Sequence, residues 1–211
     1  MSAAPTTERG RSSRDWALGL WWVLASAAGM GLAYVVVFAH FILALELAPM
    51  DRSTAVDFVV PIALLLCIPL FQWLVLRRRI PRSGYWFLAT DAGLIASAVL
   101  LGLVNRAFPG RTMPIINYLQ PFSGPVTLII VGLCLGFAQW AVLRRHLRMP
   151  GLWVVASVLG WASTVAVVVE GRLGYALVWI AMGLMTGICT GLALVLLWKQ
   201  PEKRAAAIVG R

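Results

Sequence analysis

The sequence predicts an all-α integral membrane protein of six transmembrane helices, built as three tandem helical hairpins with both termini in the cytoplasm. Three observations carry this. Hydrophobic residues make up 61% of the 211 and charged ones 12%, against the half and quarter usual in soluble domains. Mean hydropathy is +0.86, and a chain of this length cannot hide so much apolar side chain in one aqueous core. Finally, the basic residues sit at the ends of the apolar runs. The net charge of +10 could suggest nucleic acid, but no basic face with interleaved stacking aromatics is written, so nucleic acid is not an expected partner.

The elements follow in order. Residues 1–15 read as a disordered cytoplasmic tail and 199–211 as a cytoplasmic C-terminal tail. Between them lies a single membrane domain, 16–198. Its six apolar runs, near 16–45, 58–77, 85–105, 123–143, 152–170 and 174–198, each have the roughly 20 residues that a bilayer core about 30 Å thick requires. The first is longer than needed, so it tilts or projects past the far surface around His40 to Glu46. Arg9 to Arg14, "WALGLWWVL" and "ASA" together imitate a signal peptide. The apolar run continues to Leu47, however, and the same Trp/Ala/Ser pattern returns inside the chain, so cleavage is not expected. Arg9, Arg11 and Arg14 lie in the N-tail, Arg77, Arg78, Arg79 and Arg82 follow span 2, and Arg144, Arg145 and Arg148 follow span 4. Lys199, Lys203, Arg204 and Arg211 follow span 6, against Arg52, Arg106, Arg111 and Arg172 on the other side. The positive-inside rule therefore places both termini and the Leu-Arg-Arg turns in the cytoplasm.

The hairpins, about 16–77, 85–143 and 152–198, repeat one another. A shift of 67 residues lays Cys67 on Cys134, Gln72 on Gln139, Trp73 on Trp140, Arg77 on Arg144, Trp86 on Trp153 and Gly93 on Gly160. Trp22 to Gly29 is a third copy of the Trp86 to Gly93 stretch, and Thr190 falls where a third Gln would stand. Same-orientation copies relate by an axis along the membrane normal. The pattern of glycines, "QW" with "LRR", then Trp and "AS" resembles uncharacterised small multi-spanning membrane proteins of bacteria. The resemblance covers about Trp16 to Trp198. It implies this architecture and the bacterial cytoplasmic (inner) membrane, and it carries no assigned activity.

Trp16, Trp21, Trp22, Trp73, Trp86, Trp140, Trp153 and Trp198 fall near cytoplasmic span ends, where an interfacial belt is expected. Trp161 and Trp179 sit deeper and suit packing or an apolar ligand. Gln72 and Gln139 lie about 7–8 Å inside their first arginines at 1.5 Å per residue. In lipid each amide needs partners, so a helix clasp to the Ser26/Thr90/Ser157 level is expected, with a polar vestibule as the sharper alternative. Asp91 is the one carboxylate well inside a span, and the scaffold does not require it, because its repeat partners are Ala27 and Val158. It is either a functional acid or a shallow one reaching back to Arg77 or Arg144. Gly183, Gly187 and Gly191 put three small residues on one face for close helix packing, within the bundle or between two copies. Cys67, Cys134 and Cys189 read as small buried hydrophobes, with a Cys67–Cys134 pairing left open. Outside the membrane, 106–122 reads as a short amphipathic lid, and Glu46, Asp51, Asp57 and His40 as solvated loop charge with no metal-ligand spacing.

No catalytic motif appears, and lysines occur only at 199 and 203, which excludes a retinal Schiff base within the bundle. The expected function is a non-catalytic binding or assembly component for a lipid, an apolar ligand such as a pigment, or a partner membrane protein, with a homo-oligomer open. The alternative is a small transporter, or a transport subunit, for a rather apolar solute. No other cofactor is expected.

Overall fold

The structure is a computed structural model that describes residues 6–47, 52–80, 82–107, 125–147, 149–169 and 174–199. It is all-helical there, with six helices: α1 (Thr6–Leu47), α2 (Arg52–Leu76), α3 (Tyr85–Ala107), α4 (Pro125–Leu143), α5 (Gly151–Val169) and α6 (Tyr175–Trp198). Among the described residues, four are long and apolar enough to cross a membrane, over Asp15–His40, Tyr85–Val104, Pro125–Leu143 and Ala176–Trp198. Ile62–Leu76 and Gly151–Ala166 are shorter apolar stretches. The stretch expected to be a disordered tail is helical from Thr6, so α1 extends about 63 Å at 1.5 Å per residue. Ordinary helix formers such as Glu8, Arg9 and Arg11 let the apolar helix carry its turns backward. Most of the expected lid at 106–122, the side chains of Glu46, Asp51 and Asp57, and the segment after Lys199 lie outside the described residues.

The helices close a ring. Each packs against its neighbours in chain order, and α1 closes onto α6. The surface is inverted relative to a soluble bundle: Leu24, Leu66, Leu88, Ile95, Phe137, Val155 and Leu196 face outward, while Ser26, Gln72, Thr90, Gln139, Ser157 and Thr190 are buried. That distribution suits a solvent that offers no hydrogen bonds, so polar groups turn inward to find each other.

Glycines set how closely the helices approach. Within the first seam of each pair, a Cβ on Gly29 would stand 3.1 Å from the Ile68 Cα, on Gly93 2.9 Å from the Leu135 Cα, and on Gly160 3.0 Å from the Thr186 Cα. Between pairs the seams differ. Gly183, Gly187 and Gly191 all face α1, a Cβ on Gly183 meeting both the Ala27 Cα and the Ser26 carbonyl at 2.7 Å. Gly132 and Gly136 face Val158 and Val154 of α5. At the corresponding places α2 carries Leu65, Pro69 and Trp73, none of them small, and α2 touches α3 least of all the neighbouring pairs. The seams are thus graded from tight to loose by how many glycines they contain.

The two described turns are built alike. Ile80 and Leu147 each donate a backbone N–H to the carbonyl of Leu76 and Leu143, both at 2.9 Å, and tuck their side chains under the bundle. Beyond Leu143 and Leu76 the arginines leave the helix axis, and Arg77 and Arg144 settle over the rings of Trp73 and Trp140 at 5.5 and 5.0 Å. Lys199 lies over Trp16 at 4.9 Å. Such stacking hides the ring face while leaving the charge at the surface.

Candidate functional site

The core divides along the ring axis into three layers. Near the turns lies an apolar floor containing Leu18, Leu76, Ile80, Leu143, Leu147, Leu194 and Leu197, with Trp22, Trp86 and Trp153. Toward the far end is a second apolar cluster containing Met30, Cys67, Ile68, Leu128, Leu135, Trp161, Trp179 and Met182. Between them is a polar layer.

The sequence positions these layers by helical spacing. In α1, Trp22, Ser26 and Met30 recur every four residues on one face, as do Trp86, Thr90 and Leu94 in α3 and Trp153, Ser157 and Trp161 in α5. Each odd-numbered helix therefore delivers an indole, then a hydroxyl, then an apolar cap to the axis. The three indoles form a triangle with every pair of ring centroids 5.5 Å apart and interplanar angles of 83°, 78° and 82°. Edge-to-face pairs of this kind contribute about 0.5–1.5 kcal/mol each beyond burial. Trp22 and Trp153 are 0% exposed and Trp86 is 1%, which removes them from the expected interfacial belt. They can leave the headgroup region because each N–H finds a partner inside. Trp16 and Trp21 remain outward-facing at 52% and 63%.

Those partners come from the even-numbered helices. Trp86 Nε1 donates to Gln72 Oε1 at 3.1 Å, and Gln72 Nε2 donates to Ser26 Oγ at 3.3 Å. Trp153 Nε1 donates to Gln139 Oε1 at 2.9 Å, and Gln139 Nε2 donates to Thr90 Oγ1 at 3.1 Å. One amide therefore ties the helix before it to the helix after it. At the third corner Trp22 Nε1 donates to Thr190 Oγ1 at 2.9 Å, and Thr190 donates to the Thr186 carbonyl of its own helix at 2.6 Å. Thr190 is too short to reach α5, and Ser157 Oγ, on a residue 2% exposed, is left with no hydrogen-bond partner.

Around this layer is a chamber of about 30 Å³, lined by Ser26, Gln72, Thr90, Gln139, Ser157, Thr186 and Thr190, with Trp153, Trp161 and apolar side chains. No titratable group lines it. Its chemistry is that of amide N–H, hydroxyl and indole: it can orient a neutral group by hydrogen bonds, and it offers no acid, base or nucleophile of altered reactivity. Among the described residues no cluster of His, Cys, Asp or Glu could hold a metal.

Gln72, Gln139 and Trp161 thus meet at the chamber. Trp179 does not; it packs in the far cluster against Tyr34, with ring centroids 6.2 Å apart. Asp91 also lies elsewhere. One turn before it on α3, Phe87 packs edge-on against Trp73 of α2 at 6.1 Å, so Asp91 belongs to the loose α2–α3 seam. Its Oδ1 is buried with no hydrogen-bond partner, and the expected link to Arg77 or Arg144 does not form. Both arginines lie on their own tryptophans instead. Gly183, Gly187 and Gly191 are spent on α1, within the bundle. All three cysteines are free thiols.

Sequence reasoning missed the indole triangle, although a signal for it exists. Trp22, Trp86 and Trp153 occur in all three copies at one register, whereas Trp73 and Trp140 occur in two and Trp16, Trp21 and Trp198 in one. A residue that every copy supplies at the same height belongs on the shared axis. Comparison with protein-family models, with curated proteins and with solved structures finds no match to this chain.

Proposed function

We propose that the chain is a six-span protein of the bacterial inner membrane, three tandem hairpins with both termini cytoplasmic, and that it is a non-catalytic component holding a lipid or apolar ligand. The observation that carries this reading is where the buried polar groups lie. Ser26, Gln72, Thr90, Gln139, Ser157 and Thr190 converge on one chamber, and three interlocked indoles with a leucine floor stand between it and the turns. A solute route would need polar groups continuing past that floor. Hydrogen bonds between membrane helices average about 0.6 kcal/mol, so this layer is also well suited to align helices without locking them.

The topology half of the reading has its own expected result. With Cys67, Cys134 and Cys189 replaced by Ala, single cysteines at the exposed turn residues Arg78 and Arg145 are labelled by an impermeant thiol reagent only from the cytoplasmic face. Labelling of either from the periplasm overturns the six-span orientation.

For the binding half, protein purified in nanodiscs is analysed by mass spectrometry for bound lipid or pigment. Stoichiometric retention is expected, and its reduction in Gln139→Leu, which unties Trp153 and Thr90 together, assigns the ligand's polar end to the chamber, whose volume of about 30 Å³ leaves the apolar body outside it. A preparation free of bound small molecules counts against the reading. One observation favours the runner-up, a small transporter or substrate-binding transport subunit for a rather apolar solute: the unpartnered carboxylate oxygen of Asp91 at the loosest seam. Solute-dependent stabilisation that disappears in Asp91→Asn would replace ligand storage with transport.

A further inference from the structure

The ring repeats its hydrogen-bonding unit twice and then breaks it, and the break coincides with the chamber. At two corners a Gln bridges a hydroxyl on one helix to an indole on the next. At the third, Thr190 accepts the indole N–H of Trp22 and spends its own proton on the Thr186 carbonyl. Thr186, the other α6 hydroxyl in the lining, donates to the Met182 carbonyl, and neither threonine bonds Ser157, whose Oγ is buried and unpartnered. A buried hydroxyl with neither a donor nor an acceptor beside it is a group missing its complement. The volume fits that complement: the chamber that Ser157 and Thr190 both line holds about 30 Å³, and roughly 10–15 Å³ is enough for one water-sized group.

We propose that the Ser157 corner, between Trp153, Trp161 and Thr190, is a binding site for a single neutral hydroxyl group that takes the place of the missing third amide. The group must be neutral because no charged side chain lines the chamber. It must be small because the space admits a hydroxyl and not a phosphate or a sugar. Ser157 can both donate to it and accept from it. Water supplies this chemistry, and so does the hydroxyl end of a long-chain amphiphile. The amphiphile rests on the ligand-holding reading above, and its chain leaves through the α2–α3 seam, where Ile68, Gln72, Thr90 and Leu94 extend the chamber and no glycine draws the helices together.

The test is thermal unfolding of the full chain in nanodiscs, for wild type, Ser157→Ala and Thr190→Gln, each with decanol or with decane as the matched alkane. If Ser157 holds a hydroxyl, Ser157→Ala lowers the melting temperature by a few degrees, and Thr190→Gln, which fills the corner with protein, raises it. If the corner holds nothing, Ser157→Ala deletes an unsatisfied hydroxyl and melts at or above wild type, which overturns the proposal even if Thr190→Gln fails to fold. Decanol stabilising wild type, with decane inert and both variants unresponsive, identifies the amphiphile. Loss of stability in Ser157→Ala without a decanol response identifies water, which keeps the site and removes this chamber from the ligand-holding reading. A decanol response undiminished in a fully stable Ser157→Ala keeps ligand binding, places it elsewhere, and sinks the site.

Discussion

Gly183→Leu separates the first helix from the last. A Cβ at 183 already meets the Ala27 Cα and the Ser26 carbonyl at 2.7 Å, and both are backbone, so no rotamer change makes room. Overpacking against side chains costs about 1–3 kcal/mol, and a clash with backbone exceeds that because a whole helix must shift. The shift also lifts Ser26 from Gln72 and Trp22 from Thr190, which couples the damage to the polar layer. The expected outcome is a drop in melting temperature on the order of 10 °C, or failure to recover folded protein in detergent. Gly102→Leu is the control, because a Cβ there meets nothing within 4 Å. It should melt at or slightly above wild type, since leucine favours a helix over glycine by up to about 1 kcal/mol. Equal damage from both substitutions would mean that Gly183 matters for something other than close approach.

Trp86→Ala has the second large effect. It removes a side chain that is 1% exposed, opens two edge-to-face contacts and leaves Gln72 Oε1 without its donor. Truncation of a buried Trp costs about 3–5 kcal/mol. Trp86→Phe divides that figure. Phenylalanine keeps much of the ring packing and deletes only the N–H, so it should cost about 1–3 kcal/mol, the penalty for stranding a buried acceptor. Chemical unfolding of both variants measures the ratio. If Phe proves as damaging as Ala, the hydrogen bond to Gln72 outweighs the packing of the triangle, and the layer is held by polarity more than by shape.

Much of the frame was legible because it follows from solvent and periodicity. Apolar runs became helices, four of them among the described residues long enough to cross a membrane, and the two arginine turns after Leu76 and Leu143 carry matching backbone hydrogen bonds. The partners of Gln72 and Gln139 were also within reach, since an amide in an apolar helix has few other groups to meet. What could not be read was depth across the ring. A Trp near a helix end is interfacial if it faces outward and central if it faces the axis, and one helix alone does not say which. Thr190 shows the same limit from the other side. Its alignment with Gln139 was visible, but only the distances reveal that the shorter residue strands Ser157 on a helix far away in sequence. For Asp91 the sequence leaves a functional acid and a shallow one paired to Arg77 or Arg144 both open; both arginines lie over their own tryptophans, so the second pairing does not form.

The grading of the seams has a consequence for the order of assembly. The contact richest in glycine joins α6 to α1, the two helices made furthest apart in time. Until α6 emerges, α1 has only one side covered, and the indole of Trp22 lacks Thr190. The loosest contact, α2 with α3, forms early, between helices made one after the other. In chain order the loosest joint therefore lies near the start of the ring, and the joint richest in glycine is the one that closes it.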